Sequence, residues 1–304
     1  MASKGQMFAG CTVALVTPFR DGKVDHRALQ RAVDWQIDQG TTILSPAGTT
    51  GEAPSLTRVE HEQLIATVVE QTAGRALVLA GTGSCSTAEA IRLTRFAAEA
   101  GADGALVVAP YYNRPTQEGL YAHFAHIADA SRLPLVVYNV PSRTGCHLEP
   151  ETIERLAHHD RIIAVKEASG SLDQASEILA RTELTVLSGN DSLTLPMLAV
   201  GAEGVISVVA NLVPKEMIAL VDACRQGDFA KARRLHIHLF PLSQALMNLA
   251  PNPITVKTAI ALIGQGNAEL RLPLTPPDLR VRETLSVILS RHGLRVVHES
   301  GAGA

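Results

Sequence analysis

Lys166 is the residue whose setting most directly suggests chemistry. It follows the apolar run Ile162–Val165, whose length and β-branched content predict a buried strand. The chain has only six lysines against twenty-one arginines, and Lys166 is the only lysine between Lys23 and Lys215. Because burial disfavours the charged form of an amine, we expect a lowered pKa and a nucleophile that forms a Schiff base with a keto substrate. The alternative is a lysine that pairs with Glu167 or extends its ammonium group to solvent.

A glycine-flanked turn, Gly48–Glu52, follows the second predicted strand and presents the hydroxyls of Thr49 and Thr50. Backbone N–H groups and hydroxyls in such a turn suit a carboxylate or a phosphate. The alternative is an ordinary turn in which the glycines supply conformational freedom and the threonines cap a helix. The turn is therefore a candidate anion site.

Three of the four tyrosines, Tyr111, Tyr112 and Tyr138, lie at or just after the ends of predicted strands. Phenols near a Schiff-base lysine can relay protons when a hydroxyl such as that of Thr49 connects them. The alternative is that the aromatic rings simply close the mouth of the fold. The two readings remain open on the residues alone.

Eight short apolar runs alternate with amphipathic segments over residues 8–226, which predicts an α/β protein, a (β/α)8 TIM barrel. Residues 227–296 have helical periodicity without strands and predict a C-terminal helical appendage, while residues 1–6 and 297–304 are predicted to be disordered. Active sites of such barrels form at the C-terminal ends of the strands. The predicted strands are Thr12–Val16, Thr42–Ser45, Leu77–Ala80, Ala105–Ala109, Leu135–Tyr138, Ile162–Lys166, Thr185–Leu187 and Val205–Ser207.

Composition excludes several classes of function. A net charge of -3 and a pI near 6.4 provide no basic face for nucleic acid, and no run of 18 apolar residues predicts a membrane span. The segment Met1–Gln6 lacks the apolar core of a signal peptide, so we expect a cytoplasmic protein. The four cysteines are widely spaced without metal-ligand motifs, so we expect reduced thiols and no metal site.

Four stretches together resemble the signatures of the dihydrodipicolinate synthase / N-acetylneuraminate lyase superfamily: Gly48–Glu52, Tyr111–Pro115, Tyr138–Gly145 and Val165–Ala168. The resemblance extends over residues 8–294. Lyases of the superfamily usually have serine at the position of Thr49 and lack the run that ends at Gly145. The resemblance is therefore to the synthase branch.

The resemblance implies condensation of pyruvate with L-aspartate 4-semialdehyde to 4-hydroxy-tetrahydrodipicolinate, in lysine (diaminopimelate) biosynthesis. Lys166 would form a covalent imine with pyruvate, and no metal or organic cofactor would be needed. Two alternatives stay open, because relatives with one fold differ in function. One is another pyruvate-dependent aldolase or dehydratase of the superfamily, and the other is a silent barrel that binds a keto acid.

Residue roles also follow from the resemblance. Thr49 and Thr50 would hold the pyruvate carboxylate, and Tyr138, Thr49 and Tyr112 would form a proton relay, with Tyr112 reaching into a neighbouring subunit. The implied assembly is a homotetramer, a dimer of dimers. Arg143 would bind the carboxylate of the aldehyde substrate.

Two further residues, Gly189 and Ile206, are implied to present backbone atoms next to bound pyruvate. In many synthases lysine is a feedback inhibitor that binds at the dimer interface. His61, Glu89 and Tyr111 match positions of that pocket, whereas four others do not match the strongly inhibited enzymes, which have serine, alanine, histidine and asparagine. Those four are Ala53, Pro54, Arg58 and Cys85. Because a thiol is a poor substitute for an amide, we expect weak lysine inhibition.

Overall fold

The computed structural model describes residues 3–297 and contains a closed barrel of eight parallel strands. Each strand pairs with the next along the chain, and the last pairs with the first. The predicted fold class is confirmed. The barrel strands are β1 (Gly10–Ala14), β2 (Ile43–Ser45), β3 (Leu77–Gly81), β4 (Gly104–Val108), β5 (Leu135–Asn139), β6 (Ile162–Glu167), β7 (Thr185–Ser188) and β8 (Gly204–Ser207).

A helix follows each strand and covers the outside of the barrel. These helices are α1 (His26–Asp38), α2 (Arg58–Thr72), α3 (Thr87–Ala100), α4 (Gln117–Ala130), α5 (Pro150–Ala157), α6 (Leu172–Arg181), α7 (Thr194–Ala199) and α8 (Pro214–Arg225). Three more helices follow the barrel: α9 (Phe229–Asn248), α10 (Ile254–Leu262) and α11 (Leu279–Arg291). No helix within residues 3–297 combines the length and apolar character needed to cross a bilayer.

Burial on both faces explains why the strands are continuous apolar runs rather than alternating ones. One set of strand side chains, among them Ile43, Leu106, Tyr138 and Ile206, fills the barrel interior. The other set packs against the surrounding helices in a larger cluster. Helix α3 ends at Ala100 and is capped by Gly101, whose φ of 94° is a left-handed conformation that glycine adopts without a Cβ clash.

Two features differ from the sequence prediction. A two-stranded hairpin, Phe19–Arg20 with Lys23–Val24, was not predicted, because strands of two residues have no readable period. Residues 3–6 were predicted to be disordered, but Lys4 N–H donates to Glu183 O and Lys4 Nζ to Ala157 O. Hydrogen bonds from both the backbone and the side chain of Lys4 thus hold this segment against the barrel. Residues 1–2 and 298–304 lie outside the described range.

The region after the barrel is attached to the loops above the strands. Lys257 forms a buried ion pair with Glu52, which belongs to the glycine-flanked turn. Arg271 binds the Glu60 carboxylate through both terminal nitrogens, and its backbone N–H donates to Glu52 Oε2 over 3.2 Å. The C-terminal region therefore braces one edge of the barrel mouth.

Candidate active site

Lys166 lies in the barrel interior near the C-terminal end of β6, with 6% of its surface exposed. Tyr138 occupies the paired position on β5, and Lys166 Nζ lies 4.0 Å from the centroid of its ring. Within residues 3–297, no carboxylate forms an ion pair with this amine. A buried lysine without a salt-bridge partner has the surroundings that a nucleophilic amine requires.

Glu167 does not pair with Lys166, although it is the next residue and is also buried. Successive strand side chains point to opposite faces, so the two groups diverge. Glu167 instead accepts from Asn139 Nδ2 over 2.9 Å and from Ser169 N–H over 2.5 Å. The structural alternative of a Lys166–Glu167 pair is thereby removed.

Gly189 lies directly beside Lys166. A Cβ atom at this glycine would stand 2.5 Å from the Cβ of Ala168 and 3.2 Å from Lys166 Cε, so no larger residue fits without displacement. Ile206 is buried in the same interior cluster as Tyr138. Both predicted pyruvate neighbours therefore line the space around the barrel axis.

Sequence reasoning missed the buried carboxyl group of Asp191, which follows β7. It accepts from Ser207 Oγ, from Val208 N–H over 2.9 Å and from Val209 N–H over 3.1 Å. Burial raises the pKa of Asp191, while the positive charge of Lys166 acts in the opposite direction. The sequence signal that could have identified Asp191 is its position shortly after a barrel strand, where active-site residues of such barrels lie.

The glycine-flanked turn is fixed from both sides. Thr17 Oγ1 donates to Gly51 O over 2.6 Å, and Asn252 Nδ2 donates to Thr50 Oγ1 over 3.0 Å. Thr50 is buried, and its hydroxyl hydrogen remains available to donate elsewhere. Thr49 faces the cavity above the strands.

Arg143 lies at the cavity mouth on a short helix, Pro141–Thr144, that begins two residues after β5. Its Nη2 donates to the backbone oxygen of Asn252 over 3.2 Å. Asn252 therefore contacts both the predicted anion-binding turn and the predicted aldehyde-binding arginine. No local sequence pattern indicates this role of Asn252, because its contact with Thr50 spans 202 residues.

One cavity of about 450 Å³ joins two groups of predicted site residues. At one end it is lined by Thr49, Tyr138 and Arg143, and at the other by the predicted regulatory residues. Lys166 is not among the lining residues, but it reaches the cavity through its contact with Tyr138. The regulatory end includes His61, Glu89, Tyr111 and Arg58.

The polar groups at the regulatory end already have partners. The Glu89 carboxylate accepts hydrogen bonds from Arg92 and from Arg58. Both guanidinium groups lower the pKa of Glu89, and Arg92 has the larger effect. His61 Nε2 lies 2.7 Å from the carbonyl oxygen of Gly81, and burial lowers the pKa of this imidazole. The Glu89 carboxylate is therefore largely neutralised within the chain.

Tyr111 and Cys85 are neighbours beside this end of the cavity. The pKa of the Tyr111 phenol is raised mainly by burial and, to a smaller extent, by the neighbouring Cys85. Cys85 is itself exposed, and its backbone oxygen accepts from Asn113 Nδ2 over 3.1 Å. Tyr111 therefore lines the same cavity as His61 and Glu89, and Cys85 lies next to it.

Tyr112 points away from the site of its own chain. It is 94% exposed, and its φ of 75° is a left-handed conformation uncommon for a bulky residue. The neighbouring backbone fixes this turn, since Tyr112 N–H donates to Thr144 O over 3.3 Å. The chain thus brings together Lys166, Tyr138 and Thr49 but leaves Tyr112 outside.

Comparison with known proteins shows the family of this chain. The model of the dihydrodipicolinate synthetase family matches residues 7–292. The chain belongs to that family. The resemblance predicted from the sequence motifs is confirmed, and family members with curated names are lyases called 4-hydroxy-tetrahydrodipicolinate synthase. One of them, from Pelobacter propionicus, is 54% identical over 290 residues, which cover 95% of this chain and all of that protein.

Solved structures give the same family. Dihydrodipicolinate synthase from Aquifex aeolicus is 46% identical with a TM-score of 0.94, and the match covers 96% of this chain and all of that one. A structure described as the first monomeric dihydrodipicolinate synthase variant is 40% identical with a TM-score of 0.93, over 97% of this chain and all of that one. Family membership therefore does not by itself fix the oligomeric state.

Proposed function

We propose that this chain condenses pyruvate with L-aspartate 4-semialdehyde to form 4-hydroxy-tetrahydrodipicolinate, the reaction for which its curated relatives are named. The observation that carries the proposal is the buried amine of Lys166, packed on the Tyr138 ring with no salt-bridge partner among residues 3–297. Such an amine can attack a carbonyl carbon, whereas a lysine held in an ion pair is less available.

The chemistry begins when Lys166 Nζ adds to the keto carbon of pyruvate and water leaves, which gives the imine. The iminium group withdraws electrons, so the adjacent methyl group loses a proton and becomes an enamine carbon. That carbon adds to the aldehyde carbon, and the aldehyde oxygen takes a proton. The amino group of the second substrate then attacks the imine carbon and displaces Lys166, which closes the ring. The protonated imine formed by Lys166 is the electron sink, so these steps need neither a metal nor an organic cofactor.

Pyruvate would bind between the turn and the barrel axis. The Thr49 and Thr50 hydroxyls, with the N–H groups of the turn, suit its carboxylate, and Gly189 and Ile206 would border its methyl side. The absence of a side chain at Gly189 leaves the space beside Lys166 Cε that a three-carbon acid requires. The turn is rigid because Asn252 and Thr17 hold it, which favours preorganised binding.

Tyr138 and Thr49 would transfer the protons, since both lie in the space reached by Lys166. Tyr112 would complete the relay from a neighbouring copy of the chain. Its exposure of 94% supports this role, because an aromatic side chain held rigidly in solvent can enter a cavity in a partner. We therefore propose at least a dimer, and a homotetramer built from two such dimers as the full assembly.

Arg143 would bind the carboxylate of the aldehyde substrate. It lies at the mouth of the cavity with no carboxylate partner among residues 3–297, and one of its terminal nitrogens contacts only the Asn252 carbonyl oxygen. A guanidinium group offers five N–H donors, so most of them remain free for a bidentate contact. Arg143 would thus select the second substrate without taking part in imine formation.

Two measurements test the proposal. Borohydride reduction in the presence of pyruvate, followed by intact-mass analysis, should add one pyruvate-derived group per chain. A coupled assay should show turnover with aspartate semialdehyde and none with N-acetylneuraminate or 4-hydroxy-2-oxoglutarate. An adduct with turnover of another substrate would reassign the enzyme within its superfamily, and absence of an adduct would remove the Schiff-base mechanism.

A further inference from the structure

Three helices bring Glu216, His238 and His292 together on the side of the barrel. Glu216 is in the first turn of α8, His238 in the middle of α9, and His292 follows α11 directly. Glu216 Oε2 lies 3.2 Å from His238 Nε2 and 3.1 Å from His292 Nε2. The three ligand atoms all lie within 4.8 Å of one another.

One member of this cluster, His292, is well shielded from solvent, whereas the side chains of His238 and Glu216 are partly exposed. The His292 side chain is only 4% exposed, and its Nε2 is a buried atom without a hydrogen bond of acceptable geometry among residues 3–297. Glu216 Oε2 is in the same condition. The two atoms lie 3.1 Å apart, within ion-pair distance, but neither forms a well-aligned hydrogen bond with the other, so both remain directed at a point where a shared ligand could bind.

The arrangement matches the coordination that borderline divalent metals prefer. A zinc ion binds histidine nitrogen at about 2.0–2.1 Å and carboxylate oxygen at about 2.0–2.2 Å, so tetrahedral ligands stand roughly 3.3–3.5 Å apart. The two distances from Glu216 Oε2 are close to that value. Two imidazoles favour zinc, cobalt or nickel over magnesium or calcium, which prefer oxygen ligands.

We infer that Glu216, His238 and His292 form a binding site for a divalent transition-metal ion, with zinc as the ion they suit best. His238 is half-exposed, with 51% of its side chain accessible, which provides a route of entry and leaves the fourth position to water. The rings of His238 and His292 stack with centroids 4.3 Å apart, and each presents its Nε2 to the same Glu216 oxygen.

The site joins the last helix of the barrel to two of the three helices that follow it. None of its ligands lines the catalytic cavity, so the ion would stabilise the attachment of the C-terminal helices rather than take part in the reaction. The inference departs from the sequence prediction of no metal site. The ligands are 22 and 54 residues apart along the chain, so no metal-binding motif marks them.

The test uses the full-length chain without a histidine tag, treated with a chelator and then dialysed. Titration with zinc chloride at pH 7.5 should show one ion per chain by calorimetry, and cobalt should give the visible absorption of a site with low coordination number. Glu216→Gln and His238→Gln should each weaken binding by at least about tenfold, since each removes one of three ligands. His236→Gln, on the same helix, is the matched control and should bind as the unaltered chain does.

Stability supplies a second readout. Zinc should raise the unfolding temperature of the unaltered chain and of His236→Gln, because an ion that binds only the folded state stabilises it. It should not raise that of Glu216→Gln. The inference is overturned if the unaltered chain binds no zinc, which leaves a hydrogen-bonded Glu–His cluster. It is equally overturned if all variants bind alike, or if Cys85→Ser abolishes binding instead.

Discussion

Lys166 Nζ lies 4.0 Å from the centroid of the Tyr138 ring, and the two residues occupy paired positions on adjacent strands. The Tyr138 ring covers the amine inside the barrel without pairing it with a carboxylate, so the nitrogen is not held in an ion pair before substrate arrives. The ring imposes no fixed hydrogen bond, and the amine therefore stays free to react. The phenol of Tyr138 is the group that we propose to exchange a proton with the adduct.

Replacement of this amine gives the first prediction. Lys166→Ala should abolish the reducible adduct with pyruvate, because the proposed nucleophile is gone. Lys215→Ala, which removes an exposed lysine, should leave the adduct unchanged. Intact-mass measurement after borohydride treatment distinguishes the two. A surviving adduct in Lys166→Ala would move the nucleophile elsewhere, and Lys257 would be the first residue to replace.

Arg143→Ala should leave adduct formation largely intact while raising KM for the aldehyde. Loss of a charge-assisted contact costs about 2–3 kcal/mol, or roughly 30- to 150-fold in kcat/KM. The kcat/KM of Arg143→Lys should lie between that of the unaltered chain and that of Arg143→Ala, because an ammonium group keeps the charge but lacks the planar guanidinium group. Steady-state kinetics with each substrate varied in turn provide the measurement. An equal loss of the reducible pyruvate adduct and of turnover would show that Arg143 instead supports the structure of the segment that follows β5.

Tyr112→Phe keeps the exposed ring and removes only its hydroxyl, so kcat should fall while assembly is unchanged. If the residue acts across a dimer, mixing Tyr112→Phe chains with Lys166→Ala chains should restore some activity. One site in each mixed dimer then has an intact lysine and an intact tyrosine. Activity is followed after subunit exchange, with mixed dimers verified by mass. Silence of verified mixed dimers would show that Tyr112 serves only its own chain.

Acid should weaken the contact between Glu60 and Arg271. The hydrogen bonds from Arg271 lower the pKa of Glu60 to about 2, so the contact stabilises the fold fully above about pH 4.5, the ordinary value, and this contribution is lost as pH falls towards 2. Glu60→Gln should therefore reduce the free energy of unfolding by about 1.5–3 kcal/mol at pH 7 and by less at pH 3.5. Urea unfolding measures both values. Glu70→Gln, an exposed position on the same helix, is the control, and a difference independent of pH would contradict the prediction.

Inhibition by lysine should be weak, with half-inhibition at or above the millimolar range. Glu89, which would receive a cationic inhibitor, already binds Arg58 and Arg92, and Cys85 offers no amide. Each missing hydrogen bond costs about 1–3 kcal/mol, so the double variant Arg58→His/Cys85→Asn should be inhibited roughly a hundredfold more strongly. Initial rates at increasing lysine concentration give the half-inhibitory concentration, and calorimetry on the free enzyme gives the affinity for lysine. Half-inhibition of the unaltered chain below about 0.1 mM would contradict the prediction.

The barrel was readable from the sequence because strands buried on both faces leave continuous apolar runs between amphipathic helices. The position of Lys166 followed from the same pattern. Contacts between distant parts of the chain were not readable, since the link from Asn252 to Thr50 spans 202 residues and leaves no local period. The same limit applies to Glu216, His238 and His292, which meet only because three helices pack side by side. Asp191 had a local signal, its place after β7, but no spacing that tied it to Lys166.

The ion pair between Glu52 and Lys257 has a consequence for the order in which the protein is made. Both side chains are buried, and Lys257 follows Glu52 by 205 residues. A ribosome that adds about 5–20 residues per second needs roughly 10–40 s to cover that interval. During this time the nascent chain has the turn that contains Thr49, Thr50 and Glu52 but not yet Lys257. Burial of the Glu52 carboxylate without this positive charge would destabilise the folded barrel. A chain released before Lys257 is therefore expected to be an inactive fragment with an unfinished substrate site, so catalysis begins only when translation is nearly complete.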